Sequence, residues 1–551
     1  MNRVQKILGT IFCSLCIQAT AQSFTNPILA GFYPDPSICK AGDDYYIVNS
    51  SFAYYPGLPI FHSKDLLNWQ QIGYALNRPE QLNLDGAGVS RGLFAPAITY
   101  HEGTFYIVCT LIDKLGNFIV TAKDPKGPWS DPIPLTQVNG IDPSLFFDEN
   151  GKLYIVFNSI PPNNISLHNG HRTIRMFELD SKNYKTIGEE KLLVNGGTDM
   201  AKKPVWIEGP HLYKKNGWYY LMCAEGGTGY NHSEVVFRSK SVEGPFVSYE
   251  NNPILTQRQL DPKRNSPVTT TGHADLVEGP DGKWWGIFLG CRPYEGDYYN
   301  TGRETFMAPV EWKEGWPTFN LGGDEVKYSY PINAKTDNSI EKFSGNYLFR
   351  DDFDKSELDI RYSFLRTVRN IWYGIDQGKL KMNLQPETCN GKGNPSFIGF
   401  RQSHLKGYAA TAFQFTPNAE NEKAGLLIFQ SERNFYYLCQ SVKDGKPVIE
   451  LYKAQELLAS QTIKVKQGKN VFLKIEANND KYAFYYALKN NKWKLILNNA
   501  NGKFLSTKDA GGFVGCLYAM YATSDGKPSG NTVSYDWFGA KNNDDVYKSL
   551  K

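Results

Sequence analysis

At 551 residues the chain exceeds what one compact domain normally holds, so two domains, or three at most, are expected. Its 60 Lys and Arg nearly balance 56 Asp and Glu, a formal net charge of +4, and no basic cluster is interleaved with aromatics, which argues against a nucleic-acid partner. Hydrophobic residues at 41% and charged residues at 21% fit an ordinary globular protein, whereas 14% aromatics is high and suits both β-rich cores and the apolar faces of sugar rings.

The N-terminus reads MNRVQK, then the apolar ILGTIFCSLCI (7–17), then QATAQ. A basic start, a short apolar core and Ala19-Thr20-Ala21 before Gln22 describe a signal peptide, residues 1–21, and hence an exported protein, periplasmic or extracellular. The run is too short to span a bilayer, and no later segment reads as transmembrane. Phe12 and Leu15 stand where a lipoprotein signal before Cys13 or Cys16 needs a small residue. The seven cysteines beyond the leader are scattered singly through apolar runs with no CxxC pair, which argues against a disulfide scaffold or a zinc site and predicts buried free thiols.

From Asp35 to Trp312 one pattern recurs five times. A polar turn and an aromatic-rich strand read GDDYYIVNSSF (42–52), EGTFYIVCTL (102–111), NGKLYIVFNS (150–159), NGWYYLMCAE (216–225) and DGKWWGIFLG (281–290). Upstream of each lie PDPSI (34–38), APAI (95–98), DPSLFF (142–147), EGPHLY (208–213) and GHADLV (272–277). Such strand-rich self-similarity predicts a five-bladed β-propeller over 23–328. In that fold the first strand of each blade lines the axis, so the aligned residues Asp35, Ala95, Asp142, Glu208 and His273 are expected to converge. A Pro- and Gly-rich linker follows, GWPTFNLGGDE (315–325) and PINAKTDNSIEKFSG (331–345). Beyond it, alternating runs such as KLKMNL (379–384), GYAATAFQFTP (407–417), NFYYLCQ (434–440) and GGFVGCLYAM (511–520) predict an antiparallel β-sandwich over 346–541. The fold class is all-β.

Hydrolysis of a glycosidic bond needs an acid for the departing oxygen and a base or nucleophile at the anomeric carbon. A third carboxylate beside the acid raises its pKa by like-charge repulsion and keeps it protonated near neutrality. Three carboxylates at equivalent blade positions, two in Asp-Pro-Ser and one in Glu-Gly-Pro, match that division of labour.

These segments resemble glycoside hydrolase family 43, exported propeller enzymes that hydrolyse plant cell-wall pentose glycans. The resemblance is carried by NPILAGFYPDPSICKAGDDYYIVNSSF (26–52), GIDPSLFFDENGKLYIVF (140–157), WIEGPHLYKKNGWYYL (206–221), TGHADLV (271–277) and GRETFM (302–307). RDDFD (350–354), GFRQSHLKGYAATAFQFTP (399–417) and EKAGLLIFQSERNFYYL (422–438) resemble the concanavalin-like sandwich of its β-xylosidase-type members. The resemblance implies Asp35 as general base, Asp142 as the residue that tunes and orients the acid, and Glu208 as general acid. It also implies inversion, with roughly 6.5–9.5 Å between acid and base. His273 matches a hub histidine near a bound calcium or a water cluster; since calcium prefers oxygen ligands, His273 would be at most one contributor, and no cofactor is required for the reaction. Arg303 matches an arginine that binds sugar hydroxyls; the alternative is a surface ion pair with Glu304. Phe94 stands in RGLFAPAI (91–98) where many relatives carry Trp, which leaves the depth of the pocket open. Trp206, Tyr230, Phe32, Tyr298 and Tyr299 are further wall candidates, and His232 in GTGYNHSE (227–234) either contacts substrate or caps a turn.

The expected function is an exo-acting β-1,4-xylosidase on xylo-oligosaccharide or arabinoxylan, the alternative an α-L-arabinofuranosidase or a bifunctional enzyme. A rival of another class is a non-catalytic sugar-binding propeller. The sandwich is either a lid on the site or an independent binding module, and oligomeric state is left open.

Overall fold

The computed structural model describes residues 22–333 and 342–550; the expected leader, 1–21, lies outside the described residues. Five antiparallel blades follow one another in the order expected. Their innermost strands are Ser37–Ala41, Ala97–His101, Ile141–Phe147, Glu208–Lys215 and Thr269–Glu278. Each touches its two neighbours, and the last returns to the first, so the five close a ring. Outside the ring, Gln22–Thr25 pairs with Ser329–Ile332.

The second strand of a blade is covered on both faces, which is why it reads as an unbroken apolar run rather than an alternating one. In Leu153–Ser159 every residue is buried. Ile155 and Phe157 pack toward Val108 and Ile119 of the blade before, while Tyr154 and Val156 pack toward Leu221 and Cys223 of the blade after. The period of two thus sends alternate side chains into two different cores.

The second domain stacks two eight-stranded antiparallel sheets. Its strands show the half-buried pattern: in Lys379–Asn383, Leu380 and Met382 are buried while Lys381 and Asn383 are exposed. Between the sheets lies a core that includes Phe413, Leu438, Leu473, Phe484 and Met520. The cysteines Cys39, Cys109, Cys223, Cys291, Cys389, Cys439 and Cys516 are all buried and free. GGFVGCLYAM is only partly strand, since the strand begins at Leu517 and residues 511–516 form a loop.

The two domains share structure. Tyr54–Tyr55, from within the first blade, pairs with Ser363–Leu365 and becomes the edge strand of one sandwich sheet. Arg292 of the fifth blade is buried and binds Glu304 (Nε to Oε2, 2.6 Å) and Asp544 of the C-terminal segment (Nη1 to Oδ2, 2.8 Å). Glu304 also accepts from the backbone N–H of Gly31 at 2.6 Å. Removing one partner of such a buried pair costs about 3–5 kcal/mol, because the other charge is left uncompensated.

Candidate active site

At one end of the ring lies a cavity of about 270 Å³, lined by Asp35, Asp142, Glu208, His273 and Arg303, with Phe52, Phe94, Trp206, Thr228 and Phe513 among its walls. The acids arrive there through strand irregularities. Asp35, Asp142 and His273 have φ of 48°, 53° and 55°, the left-handed region where Asp and His are tolerated better than most residues. The pairing slips between Ile141 and Ser144, between Glu208 and His211, and between Gly272 and Asp275. These are β-bulges, which re-aim side chains next to functional sites.

The bulges correct one expectation. By register, Asp142 and His273 correspond to Gly209, and Glu208 corresponds to Ile141 and Gly272, one residue earlier. The third acid therefore comes from the neighbouring position of its bulge, not from the position shared by Asp35 and Asp142. Gly209 is required where it stands: its φ is 55°, and a Cβ there would lie 2.8 Å from Cε1 of His273.

All three acids and Arg303 are buried. Arg303 Nη1 donates to Asp35 Oδ1 at 2.6 Å and Nη2 to Oδ2 at 3.3 Å, a two-pronged contact suited to a carboxylate. Ser50 Oγ donates to the same Asp35 Oδ2, and Thr228 Oγ1 accepts from Arg303 Nη1 at 3.0 Å. Glu304 is taken by Arg292, not Arg303, and Arg303 Nε finds no partner among the described residues. The other two acids lack a direct cation. Burial pushes Asp142 up to about 7, with the Asp35 charge adding to it and a backbone N–H from Gly209 opposing. Burial also holds Glu208 well above the usual carboxylate range, reinforced by Asp142 and then Asp35. Two neighbouring acids are thus biased toward the protonated form beside one held by a guanidinium.

Burial holds the His273 imidazole down to about 4, hence neutral in ordinary buffers. The nearby carboxylate Asp275 accepts from Ser37 Oγ and the Ile38 N–H through Oδ2, and from Tyr213 and the Leu276 N–H through Oδ1. No group of three or more His, Cys, Asp or Glu among the described residues could hold a metal ion.

Phe94 and Trp206 line the cavity as expected; Trp206 has φ of 57°, and the Arg172 guanidinium lies 4.1 Å from its ring centroid. Tyr230 and His232 do not line it. The Tyr230 hydroxyl donates to the Leu260 carbonyl, and His232 is buried behind the wall with Nδ1 3.0 Å from the Thr270 carbonyl oxygen. Phe32 is buried against Phe52, and Tyr298 and Tyr299 are likewise outside the lining. Sequence reasoning missed Phe513, which the sandwich sends into the wall beside Phe52 and Phe94, with ring centroids 5.8 and 6.1 Å away. A glycine crossing seats its loop. A Cβ on Gly302 would lie 2.8 Å from the Gly515 backbone, and one on Gly515 2.4 Å from the Thr301 carbonyl oxygen. Cys516 N–H then donates to the Asn300 carbonyl, and Phe513 N–H to Ser90 Oγ.

A five-bladed propeller that buries three carboxylates and an arginine in one pocket has the parts of a glycosidase. Residues 24–317 match the model of glycosyl hydrolases family 43, and residues 350–541 that of the β-xylosidase C-terminal concanavalin A-like domain. The chain belongs to glycosyl hydrolase family 43 and is a glycoside hydrolase. It is 41% identical to a xylosidase/arabinosidase of Butyrivibrio fibrisolvens, covering 93% of this chain and 98% of the relative. It is 37% identical to a non-reducing end α-L-arabinofuranosidase of Bacteroides ovatus, covering 95% of each. A crystal structure of a GH43_12 protein retrieved from capybara gut metagenome superposes with a TM-score of 0.85 at 42% identity, covering 92% of this chain and 96% of that one. No helix among the described residues is long and apolar enough to cross a membrane.

Proposed function

We propose that the chain is an exo-acting, inverting pentosidase that removes single terminal β-D-xylose and α-L-arabinofuranose units from xylan-derived glycans. One observation carries the reading: the pocket holding Asp35, Asp142, Glu208 and Arg303 is walled by Phe513 of the second domain, which turns a propeller cleft into a site for a chain end. The names of the two relatives support the pentose class and its double specificity.

In this reading a water attacks the anomeric carbon and gives its proton to Asp35, whose second role is to anchor Arg303. Glu208 delivers its proton to the glycosidic oxygen as the carbon–oxygen bond breaks, and the sugar leaves with inverted configuration. Asp142 supports the acid twice. Its charge raises the Glu208 pKa, and its hydrogen bond from Gly209 fixes the residue next to Glu208. The Arg303 guanidinium lines the pocket beside Asp35, within reach of a substrate hydroxyl, and Phe94, Trp206 and Phe513 supply apolar faces. No step in this reading uses a metal, so chelation should leave the rate unchanged; a fall in rate or Tm would favour a calcium at the hub. Export through residues 1–21 belongs to the same reading, and the secreted protein should begin at Gln22.

The test is a pair of assays on aryl β-D-xyloside and aryl α-L-arabinofuranoside, with product analysis on xylotriose and arabinosylated xylan. Both glycosides should be cleaved and only monosaccharide released. Longer products would defeat exo action, and binding without hydrolysis would return the non-catalytic alternative.

A further inference from the structure

The sandwich carries a second cavity, of about 210 Å³, that the catalytic reading does not use. It opens between the strands Asn434–Lys443, Lys446–Lys453 and Leu517–Thr523 and the loop at 388–390. Four rings line it: Phe435, Tyr437, Tyr452 and Tyr521. Hydrogen bonds hold three of them in place. Tyr452 donates to Glu450 Oε2 at 2.7 Å, Tyr437 donates to the Tyr521 carbonyl at 3.1 Å, and Tyr521 accepts the Cys389 N–H at 3.0 Å. At the rim, Lys423 pairs with Asp525 at 3.3 Å and lies 5.6 Å from the Tyr452 ring centroid. Thr388, Asn390 and Gln455 also line the cavity, and their side chains make no hydrogen bond to the described residues.

We propose that this cavity is a second saccharide site, binding one pentose unit of the same glycan whose end the hub cleaves. Three observations converge on a sugar. The partly exposed Tyr452 ring, backed by the buried Phe435, Tyr437 and Tyr521, offers a face to ring C–H groups, while two amides, a hydroxyl and an ion pair offer directional partners to hydroxyls. The volume is close to the 270 Å³ of the catalytic pocket and below the ~300–1,000 Å³ of sites for larger ligands, which fits a single ring. The cavity is backed by the apolar cluster that also backs the catalytic pocket: it includes Phe52, with Phe94 and Phe513 at its margin, and also Phe435, Tyr437 and Tyr521. A glycan held here would lie along the sheet that walls the hub. The choice of pentose rests on the proposed function; the choice of a saccharide rests on the lining.

The experiment is calorimetric titration of the full-length Glu208→Gln variant, which cannot turn over, with xylotriose. Two equivalents should bind. Adding Tyr452→Ala should weaken the second by about tenfold or more while the first is retained. The exposed Gln455→Ala should weaken it by a smaller factor without threatening the fold. Binding of one equivalent, or a second equivalent indifferent to both substitutions, overturns the proposal. Failure of the functional reading is separable, because it appears as wild-type protein that cleaves neither aryl pentoside, whatever the stoichiometry of the variant.

Discussion

The propeller hub and the sandwich sheet face each other across one cavity but contribute to it by opposite means. The hub delivers Asp142, Glu208 and His273 from bulged strands and Asp35 from just before its strand, three of the four with positive φ. Each such residue costs about 1–3 kcal/mol and persists only when its surroundings enforce it. The sandwich sheet is regular from Lys423 to Phe429 along its Leu517–Thr523 partner, and gives the cavity its Phe513 from the loop just before that strand. Charged chemistry is thus placed by distortion of the frame, and apolar enclosure is placed by a loop on an undistorted one. The first arrangement needs neighbours on all sides to hold it, and some of them belong to the second domain.

Removing residues 346–551 is the most severe way to break this pairing. It strips Tyr54–Tyr55 of its partner strand, leaves Arg292 without Asp544 and uncovers the apolar cluster around Phe52. The propeller alone should fail to accumulate as folded protein, and a soluble, active fragment would show that the sandwich is a separable module. Next in size, Glu208→Gln or Asp35→Asn should lower kcat by on the order of 10²–10⁴ with an unchanged circular dichroism spectrum; near-normal turnover in either would remove the assigned role. Phe513→Ala tests the sandwich contribution alone. A loss of about tenfold in kcat/KM on aryl pentosides is expected, with folding intact, and an unaltered KM would show that the ring does not touch the sugar.

The smallest effect is the most diagnostic of the electrostatics. Asp142 raises the Glu208 pKa by like-charge repulsion, so Asp142→Asn should move the alkaline limb of kcat/KM to lower pH, where an upward move would contradict the arrangement. The same exchange has a stability signature. With the Asp142 pKa raised to about 7 in the folded state, its contribution is fully present below the ordinary carboxylate range near 4 and lost as pH rises through 7. A neutral amide at this position carries no such loss, so the variant should melt a few degrees higher at neutral pH and show no gain near pH 4.

Much of this is legible in the residues, and the exceptions have physical causes. Asp-Pro-Ser occurs twice in the same setting, so Asp35 and Asp142 announce themselves. Glu208 stands out in its Glu-Gly-Pro, but its one-residue offset depends on the bulge register, which spacing does not encode. Phe513 lies in a Gly-rich turn that reads as the start of a strand, and its approach to Arg303 depends on Gly302 and Gly515 meeting in three dimensions. Tyr230 and His232 are candidates because they stand in the GTGYNHSE loop (227–234) near the motif segments. The chain turns between them and the pocket, so only Gly227 and Thr228 of that loop reach it.

The two-residue strand Tyr54–Tyr55 has a consequence for how the molecule comes into being. Made early on the ribosome, it must wait through the synthesis of four further blades before Phe364 and Leu365 emerge to pair with it. The first blade therefore cannot reach its final form ahead of the sandwich. Heating should melt both halves in one cooperative transition, as one folding unit with two architectures.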